Sequence, residues 1–180
     1  LEEKYMKYIK SCLIITMLLG VGYSQDCDPE AETGYNCDCN EDTWEDYYNS
    51  AYHNMEGCYL VGADLSYANL SDANLYEANL SGANLLSAIL SHASLKWTDF
   101  TGADLTNAKL LYAELSNANL SGANLYYANF YGADLSGVDL TNAYLFLTSL
   151  RNTNLLWADL TGADLTNAKL KVACPPKVVP

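Results

Sequence analysis

The chain has 180 residues, half of them hydrophobic, which is enough for one domain or two small ones with a real core and excludes a disordered polymer. Twenty-two acidic residues against nine basic ones leave a net charge of −13, which argues against a binder of nucleic acid or of an anionic membrane, because neither polyanion attracts such a surface. Leu, Ala, Asn, Ser, Thr and Tyr dominate and there are only two His, a composition poor in catalytic chemistry and suited to a repeat.

Residues 1–25 read as a leader. Lys4, Lys7 and Lys10 precede an apolar run from Cys12 to Val21, and Gly22, Tyr23 and Ser24 follow it. That is the three-part layout of a secretory signal peptide, with Met6 as the expected start and cleavage expected after Ser24. The run is half of the roughly 20 residues that a membrane-spanning helix needs, so no stable membrane anchor is expected after cleavage. The residues before Cys12 and Cys27 do not form a lipobox. The expected location is therefore secreted or periplasmic.

Residues 26–57 form a second segment, with ten acids and no Lys or Arg. Within it Trp44, Tyr47, Tyr48, Ala51, Tyr52 and Met55 fall at helical spacing, Thr43 has Asp46 three residues on, and Gly57 follows. The spacing predicts a short α-helix over about 43–56 whose aromatic face caps the structure that follows, or else binds a partner. Cys27, Cys37, Cys39 and Cys58 allow three pairings. A Cys37–Cys39 bridge is strained, so Cys58 is expected to bond one of these two and Cys27 the other. No metal is expected: a zinc site of these cysteines with His53 lacks a CxxC knuckle. Asp38, Asn40 and Asp42 begin like a calcium loop, but Thr43 replaces the required Gly and Asn49 the required Glu. No cofactor is expected either.

From 58 to 173 the chain repeats. Every fifth residue from Leu60 to Leu170 is Leu or Phe, 23 positions in a row, with Phe only at Phe100 and Phe130. A five-residue step turns 500° around an α-helix and gives no stripe, and along a strand it flips each Leu to the opposite face. The backbone must therefore turn once per unit, and coils stacked at strand spacing make an all-β solenoid. Gly62, Gly82, Gly102, Gly122 and Gly162 lie 20 residues apart, with Asn142 in the gap, so four units make one coil. TGADLTNAKL recurs at 101–110 and 161–170, three coils apart. About six coils result, a column ~28 Å tall at ~4.8 Å per coil. Leu60, Leu80, Phe100, Leu120, Leu140 and Leu160 are expected to form one ladder of its core.

The stretch LSGANLYYANFYGADLSGVDL resembles the pentapeptide-repeat proteins, whose unit is A(D/N)LXX. Ala precedes the central residue by two positions in 18 of 22 units, and Asp or Asn precedes it by one in 15 of 23. The resemblance implies a right-handed quadrilateral β-helix. Ile89, Lys109, Tyr144 and Lys169 depart from the Asp/Asn position and alter decoration only. Asp64, Asp104, Asp134 and Asp164 read as corner-forming residues that bond nearby backbone, since copies of one carboxylate in one environment do not divide acid and base roles.

Function is expected on the outer face. Tyr126 and Tyr127 should lie directly beneath Phe146 and Leu147, with Leu111, Tyr112 and Tyr131 around the next corner. Exposed aromatics grouped in this way suit a protein interface, so these seven residues are the candidate surface for an unknown protein partner, the alternative being a stabilising aromatic stack. The expected protein is a non-catalytic exported scaffold, structural or protein-binding, with no nucleophile–base pair, metal spacing or phosphate loop. The alternative drawn from the family is a DNA mimic that inhibits or protects a topoisomerase such as gyrase; ten acids against five bases in the repeats make that mimicry weak. Ser81, Thr101, Ser121, Thr141 and Thr161 form a hydroxyl ladder one residue wide, which leaves ice binding as a minor reading. Cys174, in the tail 174–180, is beyond disulfide reach of the cap. Its partner is expected in a further C-terminal segment or in a second copy, giving a homodimer through the C-terminal end.

Overall fold

The computed structural model describes residues 53–171. One local conformation recurs every five residues. In every described unit but that of Leu150, the residue three beyond the central apolar residue donates its N–H back to that residue's carbonyl, as from Ala63 to Leu60 (3.2 Å) and from Ala103 to Phe100 (2.9 Å). The third residue of each such turn has positive φ at every unit from Gly57 to Asn167, the type II signature. Eight of these positions are Gly, yet Tyr67, Trp97, Tyr112, Leu147 and Trp157 hold φ between 56° and 65°.

Counting donors shows why. In the unit around Leu105, Ala103 N–H closes the turn on Phe100 O (2.9 Å) and Asp104 N–H reaches Ala83 O one coil below (2.9 Å). Leu105 and Asn107 both donate to the coil above, to Asn124 O and Tyr126 O at 2.8 Å. The left-handed residue is thus the one that turns its N–H along the column axis, and that bond offsets the roughly 1–2 kcal/mol a side chain incurs there. One donor remains in the unit, Thr106 N–H, and the Asp104 carboxylate takes it at 2.9 Å. The preference for Asp or Asn before the central residue follows from that leftover donor.

Parallel bridges join each strand position to the one 20 residues later, from Asn54↔Asn74 to Tyr144↔Asp164. The pairing is longest where β1 (Ser149–Arg151) lies parallel to β2 (Lys169–Lys171) in the same register. Four units per coil give a four-sided β-helix of about six coils.

Central Leu and Phe side chains fill the axis, and most of the Ala residues lie buried beside them, with Ala68, Ala158, Ala163 and Ala168 partly buried. Thr98, Thr148 and Thr153 occupy Ala positions fully buried, and their hydroxyls donate to the carbonyls of Leu75 (2.7 Å), Leu125 (2.7 Å) and Leu150 (2.8 Å). Among the described residues no buried side-chain polar atom lacks a partner.

Two expectations need correction. Residues 53–56, the end of the helix expected over about 43–56, are not helical: Asn54 bridges Asn74, and Met55 N–H donates to Asn74 O at 2.7 Å. Met55 stands five residues before Leu60 and takes the central place in a unit, with Cys58 in the small-residue place, both fully buried. Gly57, read as a helix stop, is a solenoid turn with φ 65°. Stacking on the next coil outweighs the helical spacing, and among the described residues the ladder already includes Asn54, before the expected start at 58. Second, the axial ladder is buried at Leu60, Leu80, Phe100, Leu120 and Leu140, but Leu160 is only partly buried, as are Leu155 and Leu165, because no described coil stacks on theirs. The leader 1–25, most of the acidic segment with Cys27, Cys37 and Cys39, and the tail 174–180 with Cys174 lie outside the described residues.

Candidate protein-binding face

The outward carboxylates behave as corner residues. Asp64, Asp104, Asp134 and Asp164 accept the N–H of Ser66 (3.1 Å), Thr106 (2.9 Å), Ser136 (3.1 Å) and Thr166 (2.9 Å). The Ser66 hydroxyl and then its N–H hold the Asp64 carboxyl below the usual value, and the Thr166 hydroxyl and N–H do the same for Asp164. These are structural anions in one repeated environment. Among the described residues no group of His, Cys, Asp and Glu gathers around a metal-sized space.

The hydroxyl ladder is tied down in the same way. Thr101 and Thr161 donate to the carboxylates of Asp99 and Asp159 at 2.6 Å, and Ser81 and Ser121 to the amide oxygens of Asn79 and Asn119 at 2.8 and 2.7 Å.

The seven candidate surface residues separate into two groups. In the first, the Tyr126 and Phe146 rings stack one coil apart, with centroids 5.7 Å apart and planes 9° from parallel. Tyr127 meets Tyr126 edge-on at 4.5 Å. Partial desolvation in this group, with Tyr127 adding to it, raises the Tyr126 phenol above its ordinary value. In the second group Tyr112 lies parallel to His92 at 5.3 Å and edge-on to Tyr131 at 5.6 Å. No ring contact among the described residues joins the two groups. Leu111 and Leu147 are half-buried, and neither reaches the exposure of the tyrosines.

Tyr144 is the residue that sequence reasoning passed over. It stands in the Asp/Asn position of its unit and is 60% exposed. A signal was available: it lies two residues before Phe146, and strand alternation puts both on the same side. A groove of about 500 Å³ lies between Gly102 and Gly122 on one side and Tyr126 and Phe146 on the other, with Asn124, Tyr144 and Asp164 between them. The glycines widen it, since a Cβ on either would meet nothing within 4 Å. The result is an open aromatic groove with a carboxylate among its lining residues, a shape that suits a peptide segment and has no enclosed reaction chamber.

The description "Pentapeptide repeats (8 copies)" matches the chain over residues 54–85, 68–107, 103–142 and 139–171. No curated protein sequence matches it. Among solved structures, a pentapeptide repeat protein from the Arabidopsis thaliana thylakoid lumen is 34% identical; the match covers 62% of this chain and 70% of that one, with a TM-score of 0.40. HetL, a pentapeptide repeat protein involved in heterocyst differentiation regulation from the cyanobacterium Nostoc sp. strain PCC 7120, is 40% identical over 66% of this chain and 62% of its own, with a TM-score of 0.25. Rfr23, from the cyanobacterium Cyanothece 51142, is 30% identical over 69% of this chain and 96% of its own, with a TM-score of 0.36.

Proposed function

The chain belongs to the pentapeptide repeat family, whose fold is the right-handed quadrilateral β-helix, and we propose that it is a non-catalytic exported scaffold that binds a protein partner at the groove around Tyr126, Tyr144 and Phe146. The observation that carries this reading is Tyr144. Each unit leaves one backbone donor, which an Asp or Asn side chain can take in 15 of the 23 units. Tyr144, like Ile89 and Lys109, lacks that acceptor, a loss on the order of 1 kcal/mol, and here the replacement is an exposed ring next to the stacked Tyr126 and Phe146. The coincidence of the missing acceptor with the stacked aromatic pair, and not the missing acceptor alone, is what supports a binding role here. Tyr and Phe edges then supply apolar contact at low entropic cost, and Asp164 favours a partner with a nearby cation.

Two features support export: the leader-like residues 1–25, and the expected pairing of Cys58, buried in the first coil, with Cys37 or Cys39. A topoisomerase-protecting DNA mimic remains the weaker reading. The repeats carry ten acids against five bases, and Lys96 neutralises one of those acids through its pair with Glu114 at 2.8 Å, a weak match to the charge of duplex DNA. At the upper end the partly buried Leu155, Leu160 and Leu165 are consistent with closure by a further cap or a second copy.

The test is capture of a partner from the native compartment by the mature chain, compared with a Tyr126→Ser, Tyr144→Ser, Phe146→Ser variant. A Trp157→Ser variant serves as the control, since Trp157 is 84% exposed and lines no part of the groove. Partner loss with the triple variant and retention with the control is the expected result. Equal retention by all three proteins refutes the groove as the site.

A further inference from the structure

We propose that Asn69 is an acceptor for an N-linked oligosaccharide; the inference rests on the export reading above, because the transferase meets only chains that enter the secretory route. Three units have Asn followed two residues later by Ser, with Leu between: Asn69-Leu70-Ser71, Asn79-Leu80-Ser81 and Asn119-Leu120-Ser121. Each is a complete acceptor triplet. The repeat alone would produce such triplets, so the structure has to separate them.

It does so through the amide nitrogen. Ten units pair an Asp or Asn with a hydroxyl two residues on, and in seven of them the residue is Asp. The folding task there needs only the side-chain oxygen: at Asp99 it accepts the N–H and hydroxyl of Thr101 at 2.9 and 2.6 Å. Asn69 does the same with its Oδ1, taking the Ser71 N–H at 3.2 Å and hydroxyl at 2.7 Å. Its Nδ2 has no part in that bond and no partner among the described residues, and the residue is exposed. Asn119 differs: it is half-buried, and its Nδ2 donates to Thr101 Oγ1 at 2.8 Å, a contact between coils that a sugar on that nitrogen would break. Asn79 is half-buried, between Tyr59 below and Asp99 above. Asn69 alone combines the complete triplet, exposure and an amide nitrogen without a role in folding.

In the transfer step Nδ2 attacks the anomeric carbon of a lipid-diphosphate-linked oligosaccharide. The C–N bond forms and the C–O bond to phosphate breaks. The lipid diphosphate leaves with the electron pair, and one amide proton passes to the transferase's base.

The test uses the chain recovered from its native compartment. Its N-terminus is read, then peptide mapping is run before and after peptide-N-glycosidase treatment in heavy-oxygen water. The expected result is a chain without its leader, full or majority conversion of Asn69 to labelled Asp, and an unmodified Asn119. An Asn69→Asp variant made in the same cells keeps the corner bond, folds as the parent does, and loses the mass shift. A leaderless chain with Asn69 unmodified overturns the proposal and leaves the export reading standing. A chain that retains its leader, with Asn69 unmodified, overturns both. Sugar at Asn119 with Asn69 bare overturns the structural argument for choosing between them.

Discussion

Gly122 and Gly132 occupy the same place in their turns, with φ of 65° and 72°, yet replacing each with Ala should have different consequences. A Cβ on Gly122 meets nothing within 4 Å, whereas one on Gly132 would lie 2.6 Å from both Cδ1 and Cε1 of Tyr112. Gly122→Ala therefore incurs only the left-handed backbone cost of about 1–2 kcal/mol, the kind of cost that Tyr127 already bears in the next turn. Gly132→Ala incurs that cost and also drives the Tyr112 ring aside. The ring then loses its parallel contact with His92 and its edge contact with Tyr131. Two aromatic contacts at about 0.5–1.5 kcal/mol each put Gly132→Ala about 1–3 kcal/mol below Gly122→Ala. Chemical denaturation of the full chain measures the difference, and a Tyr112→Ala background closes the cycle. In that background Gly132→Ala should cost no more than Gly122→Ala. Equal costs in the parent chain, or an undiminished Gly132→Ala cost without Tyr112, would refute the ring-over-glycine geometry.

Leu120→Asp should destabilise by several kcal/mol, since it removes a fully buried side chain and puts a charge between Phe100 and Leu140; an unchanged melting curve would mean that Leu120 does not face the axis. Thr98→Val should cost about 1 kcal/mol through loss of the hydroxyl bond to Leu75 O, read as a lowered denaturation midpoint, and a neutral result would remove that bond from the account. Acid sensitivity should track the corner carboxylates. The Thr161 and Thr166 hydroxyls, and then their N–H groups, hold Asp159 and Asp164 below the ordinary Asp value. A depressed folded-state pKa gives stability that is present above the unfolded value and lost as pH falls through the folded one. Asp159→Asn with Asp164→Asn should therefore flatten the decline in melting temperature below about pH 4, and an unaltered acid limb would count against the assignment.

Sequence alone carried the fold because its period is incompatible with anything else. A five-residue apolar repeat fits neither helix nor flat strand, and the 20-residue recurrence of Gly set the coil that the bridges from Asn54↔Asn74 onward confirm. The same sequence misplaced Met55, since a residue can satisfy helical spacing from Trp44 and solenoid spacing from Leu60 at once, and only stacking on Asn74 decides between them. The aromatic pair of Tyr126 and Phe146, and the place of Tyr112 and Tyr131 around the next corner, were legible from coil arithmetic, whereas the stacking of Tyr112 on His92 and the place of Tyr144 in the groove depend on side-chain directions that no spacing specifies. Left-handed backbone at Tyr67, Trp97 and Tyr112 was likewise invisible, because local preference argues against it. Tertiary structure imposes it: the N–H of that residue must point to a carbonyl one coil away, and a bond between stacked coils exists only once both coils are in place.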